Sequence, residues 1–369
     1  MASETGPSEH AAAWAIPRGL IVLLAVAAAV VAVAGAKSFA VVLGPLFLAM
    51  MLTIAVQPVQ NWARRRGWPA WAGMLAALTA VNLILAGLIG ALVLSVAQLA
   101  GELPQYSDRL DELLDEVRHL LSDAGVNSEK VHEMLSGVDL GKVVSVLDHT
   151  LRGLLGVATN VVFLLALLLF MAIDGTTIGR RLELMSRERP DIAHAFDTFA
   201  QGTRKYLVVT TAFGAIVAVL DGSALWLMGV PLPVLWALLS FITNYIPNIG
   251  FVIGLIPPAL LALLDGGAGL MIWVIVVYIV LNVVVQSVIQ PKFVGDAVGL
   301  SVTLTFLSLV FWGWVLGPLG ALLAVPLSLL VKALLLDIDP ATRWMDVLIS
   351  DRIPARLESD SAETDFSAR

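Results

Sequence analysis

Pro231-Leu232-Pro233-Val234 opens an apolar run that reaches Leu264 and is broken halfway by Asn244-Tyr245-Ile246-Pro247-Asn248-Ile249-Gly250. Pro247 lacks a backbone donor and disfavours helix just before it. Gly250 has access to positive φ. Each arm holds about 15 residues, or about 22 Å of helix, short of the ~30 Å hydrocarbon core of a bilayer. The run is too long for one span and too short for two. It predicts a re-entrant hairpin that enters the bilayer and returns to the side it came from; the plainer alternative is a tight pair of ordinary spans.

The rest of the chain makes a bilayer the setting. Of the 369 residues, 59% are hydrophobic and 14% charged, whereas an ordinary soluble domain is nearer half and a quarter. The excess is gathered in runs: Ile21 to Val33, Val157 to Ile173, Leu207 to Val219, Met271 to Val285 and Ala321 to Leu336. Apolar stretches of this kind read as membrane spans. A soluble enzyme, a secreted disulfide scaffold and a nucleic-acid-binding domain are excluded. The net charge of −7 offers no basic field for nucleic acid. There is no cysteine, hence no thiolate chemistry or cysteine metal site.

The expected layout is a polar tail over 1–18, N-terminal spans over 19–98 and an acidic helical insert over 99–152. A fourth span over 153–173 and an amphipathic insert over 174–206 follow, then a transport region over 207–336 and a disordered tail over 337–369. The stretch from Gly101 to Arg152 holds eleven Asp or Glu against five Lys or Arg. Leu103, Tyr106, Leu110, Leu113, Val117 and Leu120 recur within it at helical spacing. Pro190 is placed to open a helix whose greasy face, Ile192, Phe196, Phe199 and Tyr206, would lie along the membrane surface. Arg64, Arg65 and Arg66 beside Trp62, Trp68 and Trp71 mark a cytoplasmic interface. With both termini in the cytoplasm, most Lys and Arg fall inside and the acidic insert outside, as the positive-inside rule favours.

A full span over about Leu270 to Ile289 follows the first interrupted run. Leu300 to Leu336 then repeats the pattern, broken at Gly313-Trp314-Val315-Leu316-Gly317-Pro318-Leu319-Gly320. Span plus outer hairpin, then span plus inner hairpin, is an inverted repeat. Interrupted segments in corresponding positions of two such halves point to a secondary transporter's binding site. The expected fold is therefore all-α: a polytopic transmembrane helical protein of about eight spans, including two re-entrant hairpins.

These segments also resemble a known family. Pro231-Leu232-Pro233-Val234-Leu235-Trp236, running on to Ile246-Pro247-Asn248-Ile249-Gly250 and Pro257-Pro258, is similar to the autoinducer-2 exporter family of bacterial transporters. So are Asn282 with Ile289-Gln290-Pro291 and Gly295, and Gly317-Pro318-Leu319-Gly320-Ala321-Leu322-Leu323-Ala324-Val325-Pro326. The resemblance implies a bacterial plasma-membrane protein, usually of eight spans and oligomeric. It implies export of small hydrophilic signals or metabolites, or in some members sodium/proton exchange. Ser301-Val302 departs from the family, which commonly has a proline there, and Asp221 lies outside the family's pattern.

The candidate site residues follow from the breaks. Asp221 lies in an apolar span, where a carboxylate is costly unless paired, protonated or wet. It is either a proton or cation site or a residue near the outer end that faces water. Asn244, Asn248, Asn282, Gln286 and Gln290 are neutral amides near the first break and the following span. They either coordinate a polar solute or cation, or hydrogen-bond helices together. Pro247, Gly250, Pro318 and Gly320 would expose backbone groups to a solute. Lys332 is read as snorkelling toward the cytoplasm, with Asp337 close by in sequence. No zinc-protease His-Glu-x-x-His and no Walker loop is present, so no cofactor or enzymatic chemistry is expected. The partners expected are a small polar solute, H+ or Na+ as coupling ion, the lipid bilayer and further copies of the chain. The alternatives left open are a polar-solute exporter, a sodium/proton antiporter and a non-transporting membrane scaffold docking through its acidic insert.

Overall fold

The computed structural model describes residues 17–123, 140–247, 249–290 and 300–338. Asn248, Pro291, Lys292, Gly295, residues 124–139 of the acidic insert and both terminal tails (1–16 and 339–369) lie outside the described residues. Every regular element described is helical. In chain order these are α1 (Arg18–Ser38), α2 (Ala40–Arg65), α3 (Ala70–Glu102), a 3₁₀ turn (Leu103–Tyr106), α4 (Ser107–Asp123) and α5 (Leu140–Glu188). Next come α6 (Pro190–Leu227), α7 (Pro233–Thr243) and α8 (Gly250–Asn282), then α9 (Val302–Leu316), α10 (Pro318–Leu322) and α11 (Ala324–Lys332).

Five of the described helical stretches are long and apolar enough to cross a membrane: Gly19–Ser38, Ala40–Gln60, Ala72–His119, Pro190–Leu227 and Gly250–Gln286. About eight spans were expected. The fourth expected span lies within α5, some of whose side chains fall outside the description, and the helices α7 and α9 are too short to count. Large apolar side chains are exposed along whole helices, among them Leu20 to Leu24 on α1 and Val41 and Val42 on α2. Water would not tolerate so extended an apolar surface, whereas lipid matches it.

The stretch 174–206 is helical on both sides of Arg189. α5 runs unbroken through Glu188, and α6 begins at Pro190 and continues without a bend through Leu227. The only interruption is Arg189, where an extended φ of −138° resets the direction. The greasy face of Phe199 and Tyr206 is thus the first part of a 38-residue helix, buried against protein.

At the first interrupted run the chain reverses, with unequal arms. Leu232 sits at φ 57° between two prolines, a left-handed conformation that turns the chain into α7. Trp236 steadies this turn, its Nε1 donating to the Pro231 carbonyl at 2.9 Å. α7 has only 11 residues, about 16 Å of helix. The returning arm starts at Gly250 and runs to Gly267, where φ 76° breaks α8 internally. Pro247 has no N–H to offer the Thr243 carbonyl, and the Ile246 N–H takes it at 2.8 Å instead. The second break lies inside the stretch 313–320 read from the sequence. Gly313 to Leu316 remain helical in α9, and the chain turns at Gly317, φ 69°, and again at Leu323.

α6 is the spine that both interrupted regions share. Its C-terminal half joins a core with the first reversal: Leu225, Val230, Leu235, Trp236, Leu255 and Tyr278. Its N-terminal half joins the other, in which Phe199, Tyr206 and Leu207 meet Met51, Leu316, Leu323 and Val325. The root of the acidic helix closes over the first core, where Leu103 and Tyr106 are buried. There the Tyr106 hydroxyl donates to Asp265 Oδ1 at 3.1 Å. At the other end of α2, Pro58 leaves the Ile54 carbonyl without its helical donor. Arg204 of α6 fills that vacancy, its Nε donating to the Ile54 carbonyl at 3.3 Å while its other end meets the Gln57 side-chain oxygen.

Both reversals depend on glycines with no room for a methyl group. A Cβ at Gly250 would overlap the Thr243 carbonyl, and one at Gly320 the Trp312 carbonyl, whereas Gly90 faces open space. Gly250→Ala and Gly320→Ala should each lower stability by about 3 kcal/mol, the upper part of the overpacking range. Gly90→Ala should leave stability unchanged or slightly raised. Thermal unfolding of the purified protein in detergent checks the order.

Candidate functional site

Asp221 lies two turns before the C-terminus of α6 and is completely buried. Its burial begins with the next residue. At Gly222 an added Cβ would stand 2.8 Å from that of Ala237, so α7 lies hard against α6. Ser240, three residues on from Ala237, is thereby brought to the carboxyl and donates to Asp221 Oδ2 at 2.6 Å. The other oxygen, Oδ1, has no hydrogen-bond partner among the described residues. Asn282 of α8 adjoins the same carboxyl. Of the two readings left open for Asp221, the structure does not fit simple exposure to water: its side chain is enclosed by α6, α7 and α8.

From Asn282 a series of amides leads to the first reversal. Asn282 is buried, and its Nδ2 donates to the Tyr278 carbonyl at 2.9 Å. One turn on, Gln286 uses both hydrogens of its Nε2, donating to Asn282 Oδ1 at 2.7 Å and to Asn244 Oδ1 at 3.1 Å. Asn244 then donates from Nδ2 to the Thr210 carbonyl at 3.3 Å on α6. Gly214 makes the space for it, since a Cβ there would come within 2.9 Å of Asn244 Nδ2. Gln286 reaches that far because the chain from Val283 to Ile289 is a π-helix. Such widened turns occur mostly at functional sites.

Tyrosines fasten the same turn to α6. Tyr206 donates from its hydroxyl to the Tyr245 carbonyl at 3.0 Å. The Tyr245 hydroxyl shares a 2.6 Å hydrogen bond with Thr211 Oγ1, which also bonds the Leu207 carbonyl at 2.6 Å. One helix face thus holds the break: Tyr206 satisfies the Tyr245 carbonyl, and Thr210, Thr211 and Gly214 receive the side chains of Asn244 and Tyr245.

The structure thus brings Asp221, Asn244, Asn282 and Gln286 into one connected cluster, with Pro247 and Gly250 forming the turn beside it. Gln290 lies a turn beyond, and among the described residues no hydrogen bond joins its side chain to the cluster. Asn248 lies outside the described residues. Pro318 and Gly320 belong to the second reversal, which sits elsewhere. The Leu319 side chain would be 3.2 Å from a Cβ at Gly44, and Lys37 Nζ rests 3.8 Å from the ring centroid of Trp314. This reversal therefore stands level with the α1–α2 turn. It meets the first through Tyr245, which packs against the core that includes Leu316 and Leu323. Lys332 pairs with Asp337 at 3.8 Å.

Sequence reading missed Ser240, Tyr278, Thr210, Thr211, Tyr245 and Arg204. Ser240 carries a usable signal, one of two hydroxyls, with Thr243, in an otherwise apolar 11-residue arm. Tyr206 and Tyr245 read as apolar residues, and their hydroxyl roles emerge only when the reversal lies on α6. Chemically, the cluster offers neutral donors and acceptors plus one carboxyl, with no cationic side chain hydrogen-bonded to it among the described residues. That inventory suits a polar, uncharged or weakly charged species and a small coupling cation. Among the described residues no three His, Cys, Asp or Glu come together to hold a metal ion.

A helical membrane protein with interrupted helices and a buried polar cluster has the construction of a membrane transporter. The sequence profile of the AI-2E family transporter matches residues 20–339. The chain is 30% identical over 315 residues to YhhT of Escherichia coli (strain K12), which covers 85% of this chain and 90% of YhhT. It is also 30% identical over 342 residues to the AI-2 transport protein TqsA of the same organism, covering 90% of this chain and 96% of TqsA. The chain belongs to the AI-2E transporter family, and it is a bacterial membrane transporter.

Gln286→Ala removes one interhelical hydrogen bond, to Asn244, and one along its own helix, to Asn282. It should lower stability by about 0.6 to 1.7 kcal/mol for the interhelical bond, as read by thermal unfolding in detergent. Gln290→Ala should leave unfolding unchanged.

Proposed function

We propose that this protein is a secondary transporter that exports a small polar solute of the autoinducer-2 type from the bacterial cytoplasm. The amide cluster carries the reading: Asn244, Gln286 and Asn282 converge at an interrupted helix, with Asp221 adjoining. Neutral amides exchange partners readily and hold a hydroxylated solute without the cost of a buried charge. TqsA, a relative over nearly its whole length, is named for AI-2 transport, which supports a solute of that class.

In this reading the two reversals are re-entrant hairpins of an inverted repeat, and the solute passes between them. The first stops beside Thr210, 20 residues into α6. The second extends to the α1–α2 turn, with Tyr245 between them. The hairpin-bearing half moves against α1 to α3 in alternating access, with the Arg204 attachment to α2 as its hinge. Both termini lie in the cytoplasm of an inner-membrane protein, the acidic helix lies outside, and copies of the chain associate. A second reading, sodium/proton exchange, draws on one observation, the complete burial of Asp221. A scaffold docking through the acidic insert has weaker support, because the root of that insert is occupied with the first reversal through Tyr106 and Asp265.

Flux of labelled autoinducer-2 and a panel of polar metabolites into proteoliposomes tests the proposal, with and without pH and sodium gradients. Saturable flux is expected, reduced about tenfold, equivalent to 1.4 kcal/mol, by Asn244→Ala or Gln286→Ala. Deleting residues 107–139, which keeps the buried Leu103 and Tyr106, should spare it. Sodium-dependent proton movement without solute flux would favour the antiporter. No flux of any species would leave the scaffold.

A further inference from the structure

Asp221 is the only Asp, Glu, Lys or Arg that is fully buried among the described residues. A carboxylate held permanently charged in such a place is normally paired with a cation. Here none of the ion pairs among the described residues involves it. The groups that face it are a hydroxyl on α7 (Ser240) and an amide on α8 (Asn282). The other titratable group against it is Tyr278 of α8, itself completely buried with an unpartnered hydroxyl. α6 adds no other ionisable residue between Tyr206 and Leu227, and α3 has none before Glu102.

Those neighbours suit a group that alternates between two states. A hydroxyl donates to a carboxylate or accepts from a carboxylic acid by rotating about one bond. The unpartnered Oδ1 is the atom left open for a proton. Asn282 then links the carboxyl to the turn, because its Oδ1 holds Gln286, and Gln286 holds Asn244. A change of state at Asp221 that turns the Asn282 amide disturbs the hydrogen bond that anchors the reversal to α6.

We infer that Asp221 takes up and releases one proton in each transport cycle, and that the chain Asn282–Gln286–Asn244 transmits its state to the turn of the first reversal. The cycle itself rests on the transport reading above. The proton comes from water on one side, binds Oδ1, and leaves to water on the other, with no other bond made or broken. Transport would thereby be coupled to protons.

Two measurements on the full-length protein in nanodiscs test this without any solute, so they stand or fall separately from the flux assay. Infrared difference spectra between alkaline and acid samples should contain the carbonyl stretch of a protonated buried carboxyl group. Asp221→Asn should abolish that band, Asp221→Glu restore it, Ser240→Ala shift it and Asp265→Asn leave it in place. A nitroxide at Ile249→Cys, in a chain otherwise free of cysteine, should change mobility with pH. That response should vanish in Asp221→Asn and in Gln286→Ala. A band that survives Asp221→Asn overturns the proton site. A label that responds fully in Gln286→Ala overturns the relay.

Discussion

A peptide group that loses its helical partner inside a bilayer must find another within the protein, since lipid offers none. That constraint governs this structure. The sequence breaks helices at Asn244–Ile249 and at Gly317, where broken backbone is hardest to accommodate. The chain meets the demand at the first break by laying it against one polar face of α6. Tyr206, Thr210, Thr211 and Gly214 supply a phenol, a carbonyl, a hydroxyl and a space. The same logic operates in α2, where Pro58 frees the Ile54 carbonyl and Arg204 closes it. α6 therefore holds both the reversal and the N-terminal helices, and its length follows from that double role.

The polar groups used to satisfy the backbone are also the ones available to a solute. Asn244 and Gln286 are at once ties between helices and exchangeable donors and acceptors. Hydrogen bonds of this kind within membranes are individually weak, so replacing one with a solute contact costs little. The two glycine-dependent turns are the opposite: Gly250 and Gly320 approach carbonyls so closely that the arms cannot separate without refolding. The first reversal is thus closely packed within itself and fastened to α6 by individually weak bonds, an arrangement that suits the movement proposed for it.

Much of this was legible in the residues. Apolar runs declared the membrane, and Pro247 with Gly250 located the first break. Asn244, Asn282 and Gln286 were marked by their polarity in apolar surroundings. Other features depended on long-range packing. No local signal distinguishes the surface helix expected at 190–206 from the buried start of α6, because an amphipathic face suits either lipid headgroups or protein. The second break reads in the sequence as the whole stretch 313–320, and within it the turn falls at Gly317, φ 69°, while Gly313 stays helical. The enclosure of Asp221 was not predictable from its own neighbours in sequence. It follows from the small residues Gly222 and Ala237, which draw α7 close.

The depth of the first reversal is the most exposed part of the account. A single cysteine at Ile246, treated with a membrane-impermeant maleimide in right-side-out and inside-out vesicles, reads it directly. Slow labelling through a water-filled path, suppressed by transported solute, is the result predicted for a turn held midway beside Thr210. Labelling from the cytoplasmic side as fast as at exposed Arg189→Cys, and insensitive to solute, would mean that the chain crosses fully there, and would contradict it.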